Sequence, residues 1–178
     1  MNDNDSQWQD LMSETERRAR AGGSGDAFDY FNLRAINDEL RAAGIEWLIT
    51  TGLTFSGKAN RHGAYLTTEK IDQHRFRFGN SSMLGVRFTI NFNGEFLTIE
   101  AGWPRTPKDG IVRGGGLACG LVTNSRNRKE QITLLLVRQS DGSTRWHEVA
   151  QTESRVELNA EFNETSVELH IQRLVAGS

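Results

Sequence analysis

A period of two constrains this chain more than anything else in it. Leu84, Val86, Phe88, Ile90 and Phe92 alternate with Gly85, Arg87, Thr89 and Asn91. Successive side chains of a strand point to opposite faces, so the run predicts a strand with one apolar and one polar face. Asn93-Gly94 follows, the strongest short signal for a hairpin turn. The return strand sets Leu97, Ile99, Ala101 and Trp103 on one side. Ile132 to Val137 is apolar on both faces, the pattern of a central strand. Asp141-Gly142 predicts a turn into a strand over 144–149. Val156, Leu158, Ala160 and Phe162 are then predicted to face inward and Arg155, Glu157, Asn159 and Glu161 outward. Asn163-Glu164 reads as the next turn. A last strand would bury Val167, Leu169 and Ile171 and expose Glu168, His170 and Gln172.

Further strands near 45–55, 63–68 and 73–79 bring the expectation to an antiparallel meander of about eight to ten strands. Such a sheet has to fold onto itself or close. The predicted fold is therefore mainly β (α+β): a β-meander forming a sandwich or curved barrel, with one or two N-terminal helices packed on it.

Ahead of the strands the period changes. Trp8, Leu11, Met12, Thr15 and Ala19 recur at helical spacing, and Ser13 with Glu16 makes a capping box. Ala21-Gly22-Gly23-Ser24-Gly25 reads as a flexible linker. A second helix is predicted over 26–43, N-capped by Ser24 or Asp26, with Leu33, Ile36, Leu40 and Ala43 on one face, broadened by Phe28, Phe31 and Ala35. Gly44 is read as its left-handed terminator, and 45–51 as the first strand. The expected organisation is residues 1–25 as helix and linker, and 26–178 as one β-rich domain.

The 178 residues are enough for one sizeable core. No run approaches the length of apolar sequence that a membrane span needs, so no membrane partner is expected. The start, MNDNDSQWQD, has neither the basic nor the apolar region of a secretory signal. The one cysteine rules out an intramolecular disulfide framework. Together these point to the cytoplasm. Net charge is −2, but residues 58–138 hold 13 basic and 6 acidic side chains between two acidic ends.

The motifs that carry chemistry are weak. Gly52-Leu-Thr-Phe-Ser-Gly57-Lys58 fits seven positions of a phosphate-binding loop, but Ala59 replaces the hydroxyl that would hold magnesium, and no convincing helix follows. Cys119, in Gly114-Gly-Gly-Leu-Ala-Cys119-Gly120, is the one candidate nucleophile. Its plainer reading is a small buried side chain, since none of His62, His74, His147 and His170 stands at diagnostic spacing. Metal-ligand spacings are absent, and neither metal nor cofactor is expected. Glu95 with Glu100, and Glu157 with Glu161 and Glu168, have the spacing of solvated strand faces rather than of an acid–base pair.

Residues 102–129 break the alternation with both prolines, Pro104 and Pro107, and six glycines. A long loop inside a domain is often functional. The expected function is a non-enzymatic binding module that presents this loop to a protein partner. Trp103, Arg105, Lys108 and Arg113 are its candidate contacts, because Trp and Arg are enriched in binding hot spots. The register of Trp103 with Leu97, Ile99 and Ala101 allows it a place in the core instead. The alternative is nucleic acid or another polyanion, bound through Arg75, Arg77, Arg113, Arg126, Arg128 and Lys129. His74-Arg75-Phe76-Arg77-Phe78 alternates the stacking and cationic groups that single strands bind. A sequence pI near 6.1 argues against it. A small hydrolase that depends on Cys119 or a carboxylate is the third reading. The sequence does not fix the oligomeric state.

Overall fold

Seven strands form one antiparallel sheet in which every neighbour in space is also a neighbour in sequence. They are β1 (Thr67–Phe78), β2 (Ser81–Phe92), β3 (Glu95–Trp103), β4 (Ala118–Asn124), β5 (Ile132–Arg138), β6 (Thr144–Gln151) and β7 (Val156–Glu161). Helix α1 (Gly25–Arg61) precedes them and α2 (Glu164–Ala176) follows. This computed structural model describes residues 25–106, 109–127, 131–151 and 156–176, with the side chains of residues 25–30, 113 and 151 outside the description. The helix read at 7–20 and the linker after it also lie outside.

The chain divides into two compact units between Glu39 and Leu40. Of the first, the described part is the beginning of α1, on which Leu33 and Ile36 are exposed. The second unit holds everything discussed below.

The meander and its mainly-β character are as the alternation predicted. The sheet is open, with β1 and β7 as its edges. It does not need to close, because other elements cover both faces. On the helix face, Phe88, Ile90, Leu97, Ile99, Ala101, Leu134, Leu136 and Trp146 pack against Ile45, Leu48 and Ile49 of α1 and Val167, Ile171 and Leu174 of α2. On the opposite face a smaller cluster joins Phe76, Phe78, Met83, Cys119, Leu135 and Val149.

Several sequence expectations change. Residues 45–51 are helix, not strand, and α1 runs on to Arg61. The β-branched residues Ile45, Ile49, Thr50 and Thr51 resemble a strand locally. Buried Gly44, Ile45, Leu48, Ile49, Gly52 and Ser56 nevertheless recur at the helical period. Gly44 does not terminate the helix; it lets the helix approach the sheet. A Cβ there would lie 2.6 Å from Cδ2 of Leu136, and one on Gly52 would lie 2.7 Å from the Phe88 ring. The Gly44 carbonyl accepts a 2.9 Å hydrogen bond from Nε1 of Trp146.

The last segment is also a helix. Val167, His170, Ile171 and Leu174 are buried, whereas Leu169 is exposed. Asn163 is its N-cap rather than a turn residue. Asn163 Oδ1 accepts from the Ser166 amide at 3.3 Å, and Ser166 Oγ accepts from the Asn163 amide at 3.3 Å, so the two donors are satisfied reciprocally.

The separate strands expected near 63–68 and 73–79 are one strand, β1. Its register against β2 slips between Asp72 and His74, where Gln73 has a positive φ of 55°. A bulge with charged neighbours discourages further pairing at a sheet edge. The inward face expected of Val156, Leu158, Ala160 and Phe162 is mostly lost, because β7 is an edge strand with Leu158 and Ala160 exposed.

Residues 102–129 contain a central strand, β4, whose Cys119 pairs with Gly102 on one side and Leu135 on the other. The loop proper lies between β3 and β4, and it roofs the smaller core. The Ile111 amide donates to Ser81 Oγ at 3.3 Å and Ser81 Oγ donates back to the Ile111 carbonyl at 3.2 Å. Farther on, a Cβ at Gly116 would fall 2.3 Å from Cδ1 of Leu135, so only glycine lets the backbone pass there.

Candidate partner-binding surface

The sheet register gathers residues that the sequence holds far apart. Arg75 pairs with Leu84, and Leu84 pairs with Trp103. The three occupy one cross-strand row on the helix face of β1, β2 and β3. With strands about 4.8 Å apart, the Arg75 and Trp103 backbones are about 10 Å from each other. Arg77, two residues on, projects from the same side of β1, because Phe76 before it and Phe78 after it turn into the opposite core.

Trp103 itself is buried, at 7% exposure, and belongs to the larger core. Its ring is flanked by two guanidinium groups. Arg105 Cζ stands 3.7 Å from the ring centroid and Arg41 Cζ 5.7 Å from it. A planar cation over an indole face is held by the ring quadrupole. Arg41 Nε also donates to the Leu117 carbonyl at 2.8 Å, which fixes α1 to the end of the loop. Trp103 is thus a platform, and the arginines are what a partner would meet. Arg75, Arg77 and Arg105 are exposed.

Asp109 enters this surface. Asp109 Oδ1 lies 3.9 Å from Arg75, and its Oδ2 accepts from Thr106 Oγ1 at 2.9 Å and the Thr106 amide at 3.0 Å. The hydrogen bonds from Thr106, aided by the Arg75 charge, lower the Asp109 pKa, so it stays ionised. It offsets part of the arginine charge and holds the loop beside β1.

Of the remaining cationic candidates, Arg126 does not join this group. Arg126 is exposed in the turn after β4. Asn124 pairs with Leu97, near the start of β3, whereas Trp103 ends that strand. Six residues of strand separate Leu97 from Trp103, about 20 Å, so Arg126 lies about that far along the sheet from the arginine group. Lys108, Arg128 and Lys129 lie outside the described residues, as does the side chain of Arg113, whose backbone forms a short 3-10 turn.

The remaining chemical candidates have defined surroundings. Cys119 is fully buried, its Sγ is 3.7 Å from the Gly102 carbonyl, and burial pushes its pKa up to about 12. A thiol so far from ionising at neutral pH lacks the thiolate a nucleophile needs. Gly52–Lys58 is helical, with its amides committed to the helix ladder, and Lys58 pairs with Glu168 at 2.7 Å. Glu100 pairs with His74 at 2.6 Å, Glu161 pairs with Arg145 at 2.8 Å, and Glu95 accepts from Ser125. His170, read as outward-facing, is buried, with its ring centroid 6.0 Å from that of Phe162. Among the described residues no group of three or more His, Cys, Asp or Glu side chains could hold a metal ion. Among them also, no helix is long and apolar enough to cross a membrane.

Sequence reasoning found Trp103, Arg105, Arg75 and Arg77, but as members of two different proposals. It missed Arg41 and Leu84. Arg41 is 62 positions from Trp103, and nothing in helical spacing singles it out. Leu84 was visible as an apolar strand residue, and only the register puts it between Arg75 and Trp103. No family model matches the chain, and no curated protein or solved structure matches it either.

Proposed function

We propose that this chain is a non-enzymatic binding module that engages an acidic segment of a protein partner through Arg75, Arg77 and Arg105, arranged around Trp103. One observation supports it above others: the row Arg75–Leu84–Trp103, with Arg105 stacked on the Trp103 ring, converges exposed guanidinium groups on an apolar platform. Guanidinium forks match carboxylates bidentately, and the stacked arginine is already ordered before a partner arrives. Compared with the sequence expectation, the recognition surface moves from the loop to the strand ends beside it. The described loop backbone is occupied with Ser81, Leu135 and Val156.

The polyanion reading has less support. A nucleic-acid strand is held by a tract of cations along its backbone. Among the described cationic candidates, Arg126 is separated from Arg75 and Arg77 by about 20 Å of sheet.

The test uses labelled peptides rich in Asp and Glu with one aromatic residue, a basic peptide of equal length, and a single-stranded oligothymidine. The acidic peptides are expected to bind best, with affinity falling as salt rises. Arg75→Glu and Arg105→Glu should each weaken them about tenfold or more, about 1.4 kcal/mol. Tighter binding of oligothymidine would transfer the surface to the polyanion reading. Failure of both ligands, or indifference to both reversals, would reject it.

A further inference from the structure

The far end of the helix face carries a second feature, independent of the arginine surface. Where α1 ends beside α2, a cleft of about 460 Å³ opens. Phe55 and Ala59 of α1, Phe92 of β2, and Ile171 and Val175 of α2 supply its apolar wall. That volume lies within the range of sites for one small organic molecule, which are mostly apolar with a few polar groups that orient the ligand. The polar groups here stand together. Lys58 Nζ and Glu168 Oε1 form a 2.7 Å ion pair from one helix to the other, and His62 lies one turn beyond Lys58. The pair is solvent-accessible, with the lysine side chain 52% exposed, so it can exchange partners at little cost.

The sign of the preferred head group follows from the end of α1. A helix C-terminus ordinarily presents unsatisfied carbonyls and attracts cations. Here three of the last four carbonyls are occupied: Lys58 O accepts from Nδ1 of His62 at 2.8 Å, Ala59 O accepts from the His62 and Ala64 amides at 3.0 and 3.1 Å, and Asn60 O accepts from the Gly63 amide at 2.9 Å. A carbonyl only accepts, so Nδ1 of His62 is the donor to Lys58 O. Of the described Lys, Arg, Asp and Glu side chains, only Lys58 and Glu168 line the cleft, one from each helix, and Lys58 is the more exposed of the two.

We infer that this cleft binds a small anionic amphiphile, its apolar tail against Phe55, Phe92 and Ile171 and its carboxylate on Lys58. The ligand carboxylate competes with Glu168 for the lysine.

Titration calorimetry on the whole chain tests this with three probes: dodecanoate, dodecyltrimethylammonium with the same tail, and butyrate with the same head. Dodecanoate is expected to bind one per chain below its micellar concentration. The ammonium compound should bind about tenfold or more weakly, and butyrate weaker still because most of the buried methylenes are gone. Ala59→Trp and Val175→Trp each fill the cleft and should abolish dodecanoate binding. Circular dichroism identifies which of the two keeps the fold. Lys58→Gln should reduce the preference for carboxylate over ammonium. No dodecanoate binding, equal binding of the two head groups, or undiminished binding in a folded tryptophan variant would overturn the inference. The wild-type comparison of probes decides the matter even if neither tryptophan variant folds.

Discussion

The two faces of the sheet are sealed in different ways. On one, α1 and α2 lay regular apolar stripes across the strands. On the other, an irregular run between β3 and β4 closes over Leu135 with glycine backbone. Helices supply side chains that interlock with those of the sheet, and removing one leaves a hole that the rigid neighbours cannot fill. A roof of glycines supplies backbone and few side chains, so it can settle. The same β5 strand serves both faces: Leu134 and Leu136 point to the helices, and Leu135 points to the loop.

That comparison can be broken at adjacent residues. Leu134→Ala is expected to cost about 4 kcal/mol and Leu135→Ala about 3 kcal/mol in urea unfolding, since the cost of a cavity depends on how far its surroundings collapse. Equal losses would mean that the loop is as rigid as the helices.

A smaller effect is expected in alkali, on the loop face alone. Burial raises the Cys119 pKa from 9.0 to about 12. The unfolded thiol ionises first, so stability is complete below about pH 9 and falls as pH rises from there towards 12. Cys119→Ala should remove that component from the pH profile. In the native protein at pH 7 to 8, a thiol reagent should react with Cys119 only as fast as the loop face opens. Immediate reaction would show that the roof does not seal.

The smallest effect concerns the outer anchor of the roof. The Asp109 pKa lies below its ordinary 3.8, through hydrogen bonds from Thr106 and then the charge of Arg75. Its contribution is therefore present above pH 3.8 and lost as the pH falls through its lower folded-state pKa. Hydrogen exchange at the Thr106 amide should speed up in acid. Asp109→Asn should already show the faster exchange at neutral pH, with unfolding of the helix face unchanged.

Sequence legibility followed the same division. The hairpin from Leu84 to Trp103 was readable because alternation and an Asn-Gly turn agree, and the structure keeps that register residue by residue. Around Gly44 two local signals were in conflict with the tertiary outcome: a glycine where a helix could stop, then β-branched residues. Packing against Leu136 and Phe88 decided for helix, and no local rule carries that information. In 164–176, Val167, Ile171 and Leu174 fit a helix, but Val167, Leu169 and Ile171 fit a strand equally well. The Asn163–Ser166 cap is the local signal that separates the two readings. Strand β4 was hidden by flanking glycines and prolines. For the candidate surface, residue types could be read one by one, while their meeting depends on a register across three strands and on Arg41 from a helix.

The hydrogen bond from Trp146 to Gly44 joins positions 102 apart, although the strands between them pair only with their neighbours. The meander can zip hairpin by hairpin as soon as each turn is made. The helix layer has no complete bed to rest on until β5 and β6 exist. The Gly44 end of α1 thus precedes in the chain the strands it rests on, and its bed is complete only when Trp146 is in place.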